Sequence, residues 1–235
     1  MIDNKKILAI IPARGGSKRV PRKNVKLLSN KPLISYTISA ALKSKYIDKT
    51  IVSTDNKEIA RIARQYEADI PFIRPSELAH DDSTTLSVLK HAVKFMEKSK
   101  NFKPDLVILI QPTSPLVLAE DIDMAIEKII ETKTNSCVSV CEISERPEWM
   151  FHLSESGKIR PFLKKKNKIT NSQQLPKVYR LNGAIYITRR DILIKNNIII
   201  DEDSSSAIVM PPERSIDIDR PIDFIVAEAL IKTLL

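Results

Sequence analysis

The chain has 235 residues, enough to bury one substantial core. Its 43% hydrophobic and 29% charged residues are the composition of a soluble globular protein, and no apolar run approaches the roughly 20 residues of a membrane span. The formal net charge of +9 asks for an anionic partner. Aromatics are only 5% and the basic residues are mostly scattered, which argues against a nucleic-acid groove.

In chain order, the apolar run Ile7 to Ile11 is expected to be a buried strand ended by Pro12. Ile34, Ile38, Ala41 and Leu42 mark one face of a helix. Thr50 to Ser53 is a short strand. Asp55 is expected to cap the next helix, with Glu58 as its capping-box partner. Ile59, Ile62 and Ala63 line that helix's buried side. Ile70 to Ile73 is expected to be a third short strand. Ser83 opens a long helix with Leu86, Leu89, Val93 and Met96 on one face. Leu106 to Ile110 is continuously apolar, as in a central strand covered on both sides. A helix follows through Ile122, Ala125, Ile126, Ile129 and Ile130, then a strand at Ser136 to Val140. Strands alternating with helices argue for an α/β fold, a mainly parallel sheet with helices on both faces.

The alternation breaks after Glu142. Residues 146–180 hold short extended pieces, prolines and a lysine-rich segment, the pattern of an inserted arm. Ala184 to Thr188 returns to a strand, and Ala207 to Met210 is another candidate. Pro221 opens the last helix, with Ile222, Ile225, Val226, Ala229 and Leu230 facing inward. The expected organisation is one domain, 1–235, with an arm at about 146–180. Cys137 and Cys141 have no clustered partners and read as buried free thiols. His80, His91 and His152 are isolated and read as structural. Met1 to Lys6 leads straight into the first strand with no signal-peptide pattern, so a cytoplasmic location is expected.

The loop after the first strand carries the strongest chemical signal. It holds two of the chain's four glycines, Gly15 and Gly16, among Arg14, Lys18, Arg19, Arg22 and Lys23. Glycines let backbone N–H groups approach an anion, and several cations answer several negative charges, so a polyphosphate cradle is expected. Neither the P-loop pattern nor the dinucleotide fingerprint is present. In open parallel sheets ligands bind beyond the carboxyl ends of the strands. Gln111, Thr113 and Ser114 stand at such an end, in a loop stiffened by Pro112 and Pro115 and suited to a polyol. Asp217 and Asp219 are two apart. On an extended segment they point the same way and can share one hard cation such as magnesium; the plain alternative is an exposed acidic strand edge.

The stretch Arg14-Gly-Gly-Ser-Lys-Arg-Val-Pro-Arg-Lys-Asn24 resembles the nucleotide-binding signature of the CMP-sialic acid synthetases, or acylneuraminate cytidylyltransferases. The resemblance continues through Lys31-Pro-Leu-Ile-Ser-Tyr-Thr37, Val52-Ser-Thr-Asp55 and Phe72-Ile-Arg-Pro-Ser-Glu-Leu-Ala79. It runs on to Gln111-Pro-Thr-Ser-Pro-Leu116, Asn182-Gly-Ala-Ile-Tyr186 and Asp217-Ile-Asp219, nearly the whole chain in order. It implies a three-layer Rossmann-like fold of the nucleotide-diphospho-sugar transferase type, with a small dimerisation arm that completes the partner's site in a homodimer. It also implies CTP and an acidic nine-carbon sugar as substrates and Mg2+ as cofactor. Arg14, Gly15, Gly16, Ser17, Lys18, Lys23 and Asn24 would hold the CTP phosphates. Arg74, Ser83 and Thr85 would read cytosine and ribose, and Gln111, Thr113 and Ser114 would face the sugar. Asp217 and Asp219 would hold the metal, and Arg14, Lys23 and Asp217 would serve the chemical step. One departure stands out. The family's arginine before a Gln-Leu-Pro is Gln173 here, so the sugar contact at Gln173 is expected to differ from that for N-acetylneuraminate. The competing readings are a CMP-Kdo-type synthetase for another acidic sugar and, in a different class, a non-catalytic anion- or nucleic-acid-binding protein.

Overall fold

A computed structural model describes residues 2–163 and 176–234 of the chain. Its main sheet has six strands: β1 (Ile7–Pro12), β4 (Lys49–Ser53), β5 (Leu106–Ile110), β6 (Ser136–Glu142), β9 (Tyr179–Arg189) and β10 (Ser205–Val209). Their spatial order is β10-β6-β9-β5-β1-β4. β1 pairs in parallel with β4 and β5, and β10 with β6. β9 is antiparallel to both of its neighbours, so it alone runs against the other five. The expected mainly parallel α/β sheet is therefore present.

Strand periodicity assigns the two faces. Ile7, Ala9 and Ile11 of β1, with Leu106, Ile108 and Ile110 of β5, face one layer of helices. These are α1 (Leu33–Lys43), α2 (Lys57–Gln65) and α4 (Ala119–Thr132). Leu8, Ile10, Val107 and Leu109 face α3 (Thr85–Lys100) on the other side, against Leu89, Val93 and Met96. Both central strands are buried on both faces, which is why they read as unbroken apolar runs. A third cluster lies beside the ligand edge. There Phe224, Ala227 and Ile231 of α5 (Pro221–Leu234) pack on Val20, Leu28, Leu33, Leu116 and Ile218. Leu28 belongs to a small hairpin, β2 (Leu27–Leu28) with β3 (Lys31–Pro32).

Several expectations are corrected. Ile70 to Ile73 is no strand. Pro71 supplies no ladder donor, the contact shrinks to an isolated bridge between Ile51 and Asp69, and Phe72 packs on His91 and Phe95. Asp55 does not cap α2; Asn56 does, accepting from the N–H groups of Glu58 and Ile59. Thr84, not Ser83, caps α3. Leu42 is exposed. On α5 the buried face is also different. Ile222, Ile225, Val226 and Ala229 are exposed, because a helix apolar nearly all round gives periodicity little to choose between. Cys137 and Cys141 are buried free thiols, as expected.

The arm leaves the sheet after β6. Among its described residues is a short hairpin, β7 (Phe151–Leu153) with β8 (Ile159–Pro161), and its far end overlaps the start of β9. Phe151, Leu153, Ile159 and Phe162 are all exposed, Leu153 at 73%.

One ion pair, between a wholly buried carboxylate and a half-buried guanidinium, secures the segment that leads to Asp217. Asp121 is wholly buried near the start of α4, accepts from the N–H of Leu118 at 2.9 Å and is bonded by the Arg214 guanidinium. Asp121→Ala strands that guanidinium and uncaps α4. Breaking a fully buried pair from one side costs about 3–5 kcal/mol, and because Arg214 is part-exposed the loss here should fall at the lower end, about 3 kcal/mol. The expected readout is a lower urea midpoint at unchanged slope. Asp121→Ala with Arg214→Met should recover part of the loss, since no unpaired charge remains.

Candidate functional site

The carboxyl ends of β1 and β5 open onto two adjoining cavities. The larger, about 430 Å³, is lined by residues including Arg14, Ser17, Lys18, Arg19, Lys23, Asn24, Gln111, Thr113 and Asp219. The smaller, about 270 Å³, is lined by residues including Arg14, Arg74, His80, Asp81, Ser83, Thr85 and Gln111. Pro12, Arg14 and Gln111 line both and mark the junction. The sheet thus brings together the sequence's phosphate, base and sugar candidates at one edge.

The basic loop is held from several sides. The N–H of Ala13 donates to the Ser53 carbonyl at 2.9 Å, which continues the β1–β4 ladder into the loop. The N–H of Gly15 donates to the Asp55 carboxylate at 2.9 Å, so Asp55 anchors the loop instead of capping a helix. A Cβ at Gly15 would meet the Asn56 side chain at 2.9–3.0 Å, whereas one at Gly16 would meet nothing within 4 Å. Neither glycine has positive φ, so left-handed backbone is not what calls for glycine here. Gly15 is needed for space, and Gly16 leaves its surroundings open. Buried Asn24 donates to the Arg14 carbonyl at 3.0 Å and fixes the loop's turn.

All five loop cations are paired with carboxylates. Arg14 and Lys18 meet Asp81, the former at 2.9 Å. Arg19 and Lys23 meet Asp219 at 2.9 and 3.2 Å. Arg22 meets Glu58. Lys23 is the least exposed of the five, and its ammonium also donates to the Ile218 carbonyl at 2.7 Å.

Arg74 is more constrained than a free base-reading side chain. It is buried, and three of its N–H groups are spent on the Ser53 hydroxyl, the Ser53 carbonyl and the Leu78 carbonyl. An arginine has five such donors, so two remain for a ligand. Burial lowers its pKa to about 10, with the Asp55 charge opposing the fall. Ser83 donates to the Glu77 carbonyl at 3.0 Å. Ser114 is buried, and its hydroxyl has no partner among the described residues. Gln173 and Lys164 to Lys166 lie outside the described residues.

The carboxylate segment crosses the mouth of this edge. The N–H of Ile218 donates to the Thr113 carbonyl at 2.8 Å, which ties it to the Gln111–Ser114 loop. Burial pushes the Asp217 carboxyl up, and the charges of Asp219 and Asp223 add to the rise; the Thr113 hydroxyl and Lys23 oppose it. Among the described residues no group of three or more His, Cys, Asp or Glu could hold a metal. Asp217 and Asp219 nevertheless suit a hard cation completed by substrate phosphates, because that mode needs only one or two protein carboxylates. A buried carboxylate destabilised by a like charge is what such a cation would relieve.

Sequence reasoning missed Asp81, the anchoring role of Asp55, and the Arg214–Asp121 pair. Position beyond a strand end could have flagged Asp55. No local pattern distinguishes Asp81 from the neighbouring Asp82, and their pairing differs only in three dimensions.

A cytidylyltransferase family model matches residues 8–207. The chain is 40% identical over 229 residues to the CMP-N,N'-diacetyllegionaminic acid synthase of Legionella pneumophila, covering 97% of each. It is 35% identical to the pseudaminic acid cytidylyltransferase of Campylobacter jejuni, again over 97% of each. Among solved structures it is similar to a CMP:2-keto-3-deoxy-manno-octonic acid synthetase complexed with CTP. That likeness has a TM-score of 0.72 at 17% identity, covers 98% of this chain and 100% of the other, and bears on the fold.

The raised Asp217 carboxyl makes a stability prediction. A carboxyl raised in the folded state favours folding at low pH, and that contribution is lost as pH rises through the folded value. At neutral pH the ionised, buried Asp217 is therefore a burden. Asp217→Asn should raise Tm at pH 7, and the gain should disappear below the ordinary carboxyl value of 3.8. Melting curves from pH 3 to 8 check it; a lower Tm at pH 7 would contradict the burial argument.

Proposed function

This chain belongs to the cytidylyltransferase family, whose members are nucleotidyltransferases, and on that premise we propose that it joins CMP from CTP to a nonulosonic acid, an acidic nine-carbon sugar, and releases pyrophosphate. The observation that carries this reading is the pair of joined cavities, one basic and polyphosphate-sized, the other beside Arg74, Ser83 and Thr85. In this reading CTP places its phosphates against Arg14, Ser17, Lys18, Lys23 and Asn24, beside Gly15 and Gly16. Its base and ribose enter the smaller cavity. Gln111, Thr113 and Ser114 face the sugar.

The anomeric hydroxyl attacks the α-phosphorus. An oxygen–phosphorus bond forms, and the bond from that phosphorus to pyrophosphate breaks. Arg14, Lys18 and Lys23 offset the charge that gathers on the departing phosphates. In this reading the hydroxyl proton passes to a carboxylate such as Asp217. Asp217 and Asp219 would hold Mg2+, which would supply charge neutralisation at the phosphates. Metal binding at Asp219 would release Arg19 and Lys23 from their ion pairs.

The sugar reading favours a legionaminic- or pseudaminic-like acid over N-acetylneuraminate. Gln173 brings no charge where the family has an arginine, and an acidic sugar's carboxylate normally takes a bidentate arginine. Arg180 is one replacement cation at the same edge; its guanidinium donates once to the Ser215 carbonyl, at 3.3 Å. The Kdo reading has support only from a fold-level likeness at 17% identity.

We read the chain as one catalytic domain with an arm at about 146–180 that serves a homodimer. The support is the hairpin's exposed Phe151, Leu153, Ile159 and Phe162, since a two-stranded hairpin has little stability alone. No described helix is long and apolar enough to cross a membrane, and a cytoplasmic site of action fits a CTP-using enzyme.

Pyrophosphate release with CTP, Mg2+ and a panel of acidic sugars tests the reaction. Turnover is expected with CTP and poor with UTP, best with legionaminic- or pseudaminic-type acids, and lost with EDTA. Asp217→Ala and Asp219→Ala should lower kcat far more than they raise KM for CTP, because the metal acts mainly in the transition state. Comparable turnover with UTP, or normal kcat in both variants, would refute the assignment.

Assembly has its own test. Leu153→Glu on the exposed hairpin should shift sedimentation from dimer to monomer and reduce turnover while leaving Tm nearly unchanged. An unchanged sedimentation coefficient would remove the arm from the interface.

A further inference from the structure

The two acidic partners of the basic loop are not equivalent. Asp219 is one of the two metal candidates. Asp81 belongs to neither the metal pair nor the sugar-facing set. It sits between the 3-10 turn Ser76–Leu78 and α3, on the wall of the smaller cavity. Its two carboxylate oxygens are divided between two cations: Oδ1 takes the Arg14 guanidinium at 2.9 Å, and Oδ2 takes the Lys18 ammonium. Arg14 also donates to the His80 carbonyl at 3.4 Å, which holds its guanidinium on this segment. Arg14 lines both cavities and Lys18 the larger one, so the Asp81 cluster stands at their junction. These are cations that a bound polyphosphate would need.

We propose that Asp81 is an affinity-setting residue: its carboxylate holds Arg14 and Lys18 as phosphates would, so that nucleotide binding becomes an exchange of one anion for another. The proposal rests on the nucleotide reading of these cavities and deepens it. Two physical consequences follow from the geometry. The cations are tethered at the cavity wall, which limits the side-chain entropy lost when phosphate arrives. The same carboxylate competes with phosphate, so CTP binds less tightly and pyrophosphate leaves more readily. The Lys18 hydrogen bond holds the Asp81 carboxyl below its ordinary range, so the competitor keeps its charge at physiological pH. All three side chains are part-exposed, and exposed ion pairs are individually weak. The competition therefore tunes affinity without abolishing it. A triphosphate carrying several charges wins against one carboxylate, whereas a singly charged anion does not.

The test is calorimetric titration of CTP and of inorganic pyrophosphate, in EDTA, into wild type, Asp81→Asn and Asp82→Asn. Asp82 carries the same charge change on the neighbouring residue but forms no ion pair among the described residues. Asp81→Asn should bind both ligands about 3- to 10-fold more tightly, the range expected from releasing two exposed pairs. Asp82→Asn should change affinity less than about 2-fold, the residue of a screened charge. The gain in Asp81→Asn should shrink as salt rises, and Asp81→Ser should reproduce it, which covers a variant that happens to misfold. Equal or weaker binding by both Asp81 variants, with wild type binding normally, overturns the proposal and leaves the nucleotide reading standing. An equal gain in Asp82→Asn also overturns it, because net charge and not pairing would then be the cause. No binding of either ligand by any form overturns the nucleotide reading together with this inference.

Discussion

Five cations fall within the ten residues from Arg14 to Lys23, and their mutual repulsion is the constraint around which this edge of the molecule is arranged. Unpaired, they would splay the loop into solvent. Each is instead met by a carboxylate from elsewhere in the chain: Glu58 at the start of α2, Asp81 before α3 and Asp219 before α5. The pairings fasten three separate connections to one loop. Most are exposed and individually weak, so they add little to stability. Their effect is geometric: Arg14, Lys18, Arg19 and Lys23 are held along the wall of the larger cavity. Apolar packing supplies the anchorage beneath, through Val20, Leu28, Leu33 and Ile218 against α5.

The fold was largely legible because its central strands are buried on both faces. Such strands appear in sequence as unbroken apolar runs, and Ile7 to Ile11 and Leu106 to Ile110 need no context to be recognised. The misreadings share a cause. Periodicity reports which residues are apolar, not which neighbours they meet. On α5 the exposed Ile222, Ile225 and Val226 are as apolar as the buried Phe224, Ala227 and Ile231, and only the position of the β2–β3 hairpin decides between them. At Ile70 to Ile73 the composition suggested a strand, but Pro71 removed a ladder donor. Asn56 took the capping role expected of Asp55 because both side chains can cap a helix, and Asp55 instead accepts from the Gly15 N–H 40 residues away in sequence.

The site was legible to a similar depth. Residues that line the cavities, among them Arg14, Lys18, Lys23, Gln111 and Thr113, lie in loops at strand ends and so announce themselves through topology. Residues that organise the lining do not. Arg74 illustrates the difference. The family resemblance makes it a base-reading candidate, but most of its hydrogen-bonding capacity is spent on Ser53 and Leu78. It braces the cavity wall and leaves two N–H donors free for other partners. Asn182 is similar. Its buried amide accepts from the Ser139 hydroxyl at 2.6 Å and donates to the Ser215 hydroxyl at 3.0 Å, joining β6, β9 and the carboxylate segment. A satisfied buried network of this kind fixes one geometry, because any shift leaves a polar group unpaired.

The direction of β9 explains where the arm must emerge. β6 pairs with β9 antiparallel, and their last register pair is Glu142 with Tyr179. Everything between those residues is topologically the loop of a long hairpin. Since β9 alone runs against the sheet, the C-terminal end of β6 lies on the same edge as the C-terminal ends of β1 and β5. The arm therefore departs from the edge that carries both cavities. Loop-closure entropy grows only logarithmically with length, so a connection of this size adds little cost once the hairpin ends are paired. The same geometry places Asn182 and Gly183 of β9 beneath the carboxylate segment. Gly183 has φ +81°, and a Cβ there would lie 3.6 Å from the Asp217 carboxylate, an ordinary contact. Space does not demand glycine here; the left-handed backbone does. Gly183 lies in the stretch of β9 that faces the register shift between Val138 and Val140. One reversed strand thus sets the root of the arm and the support of Asp217 at the same edge.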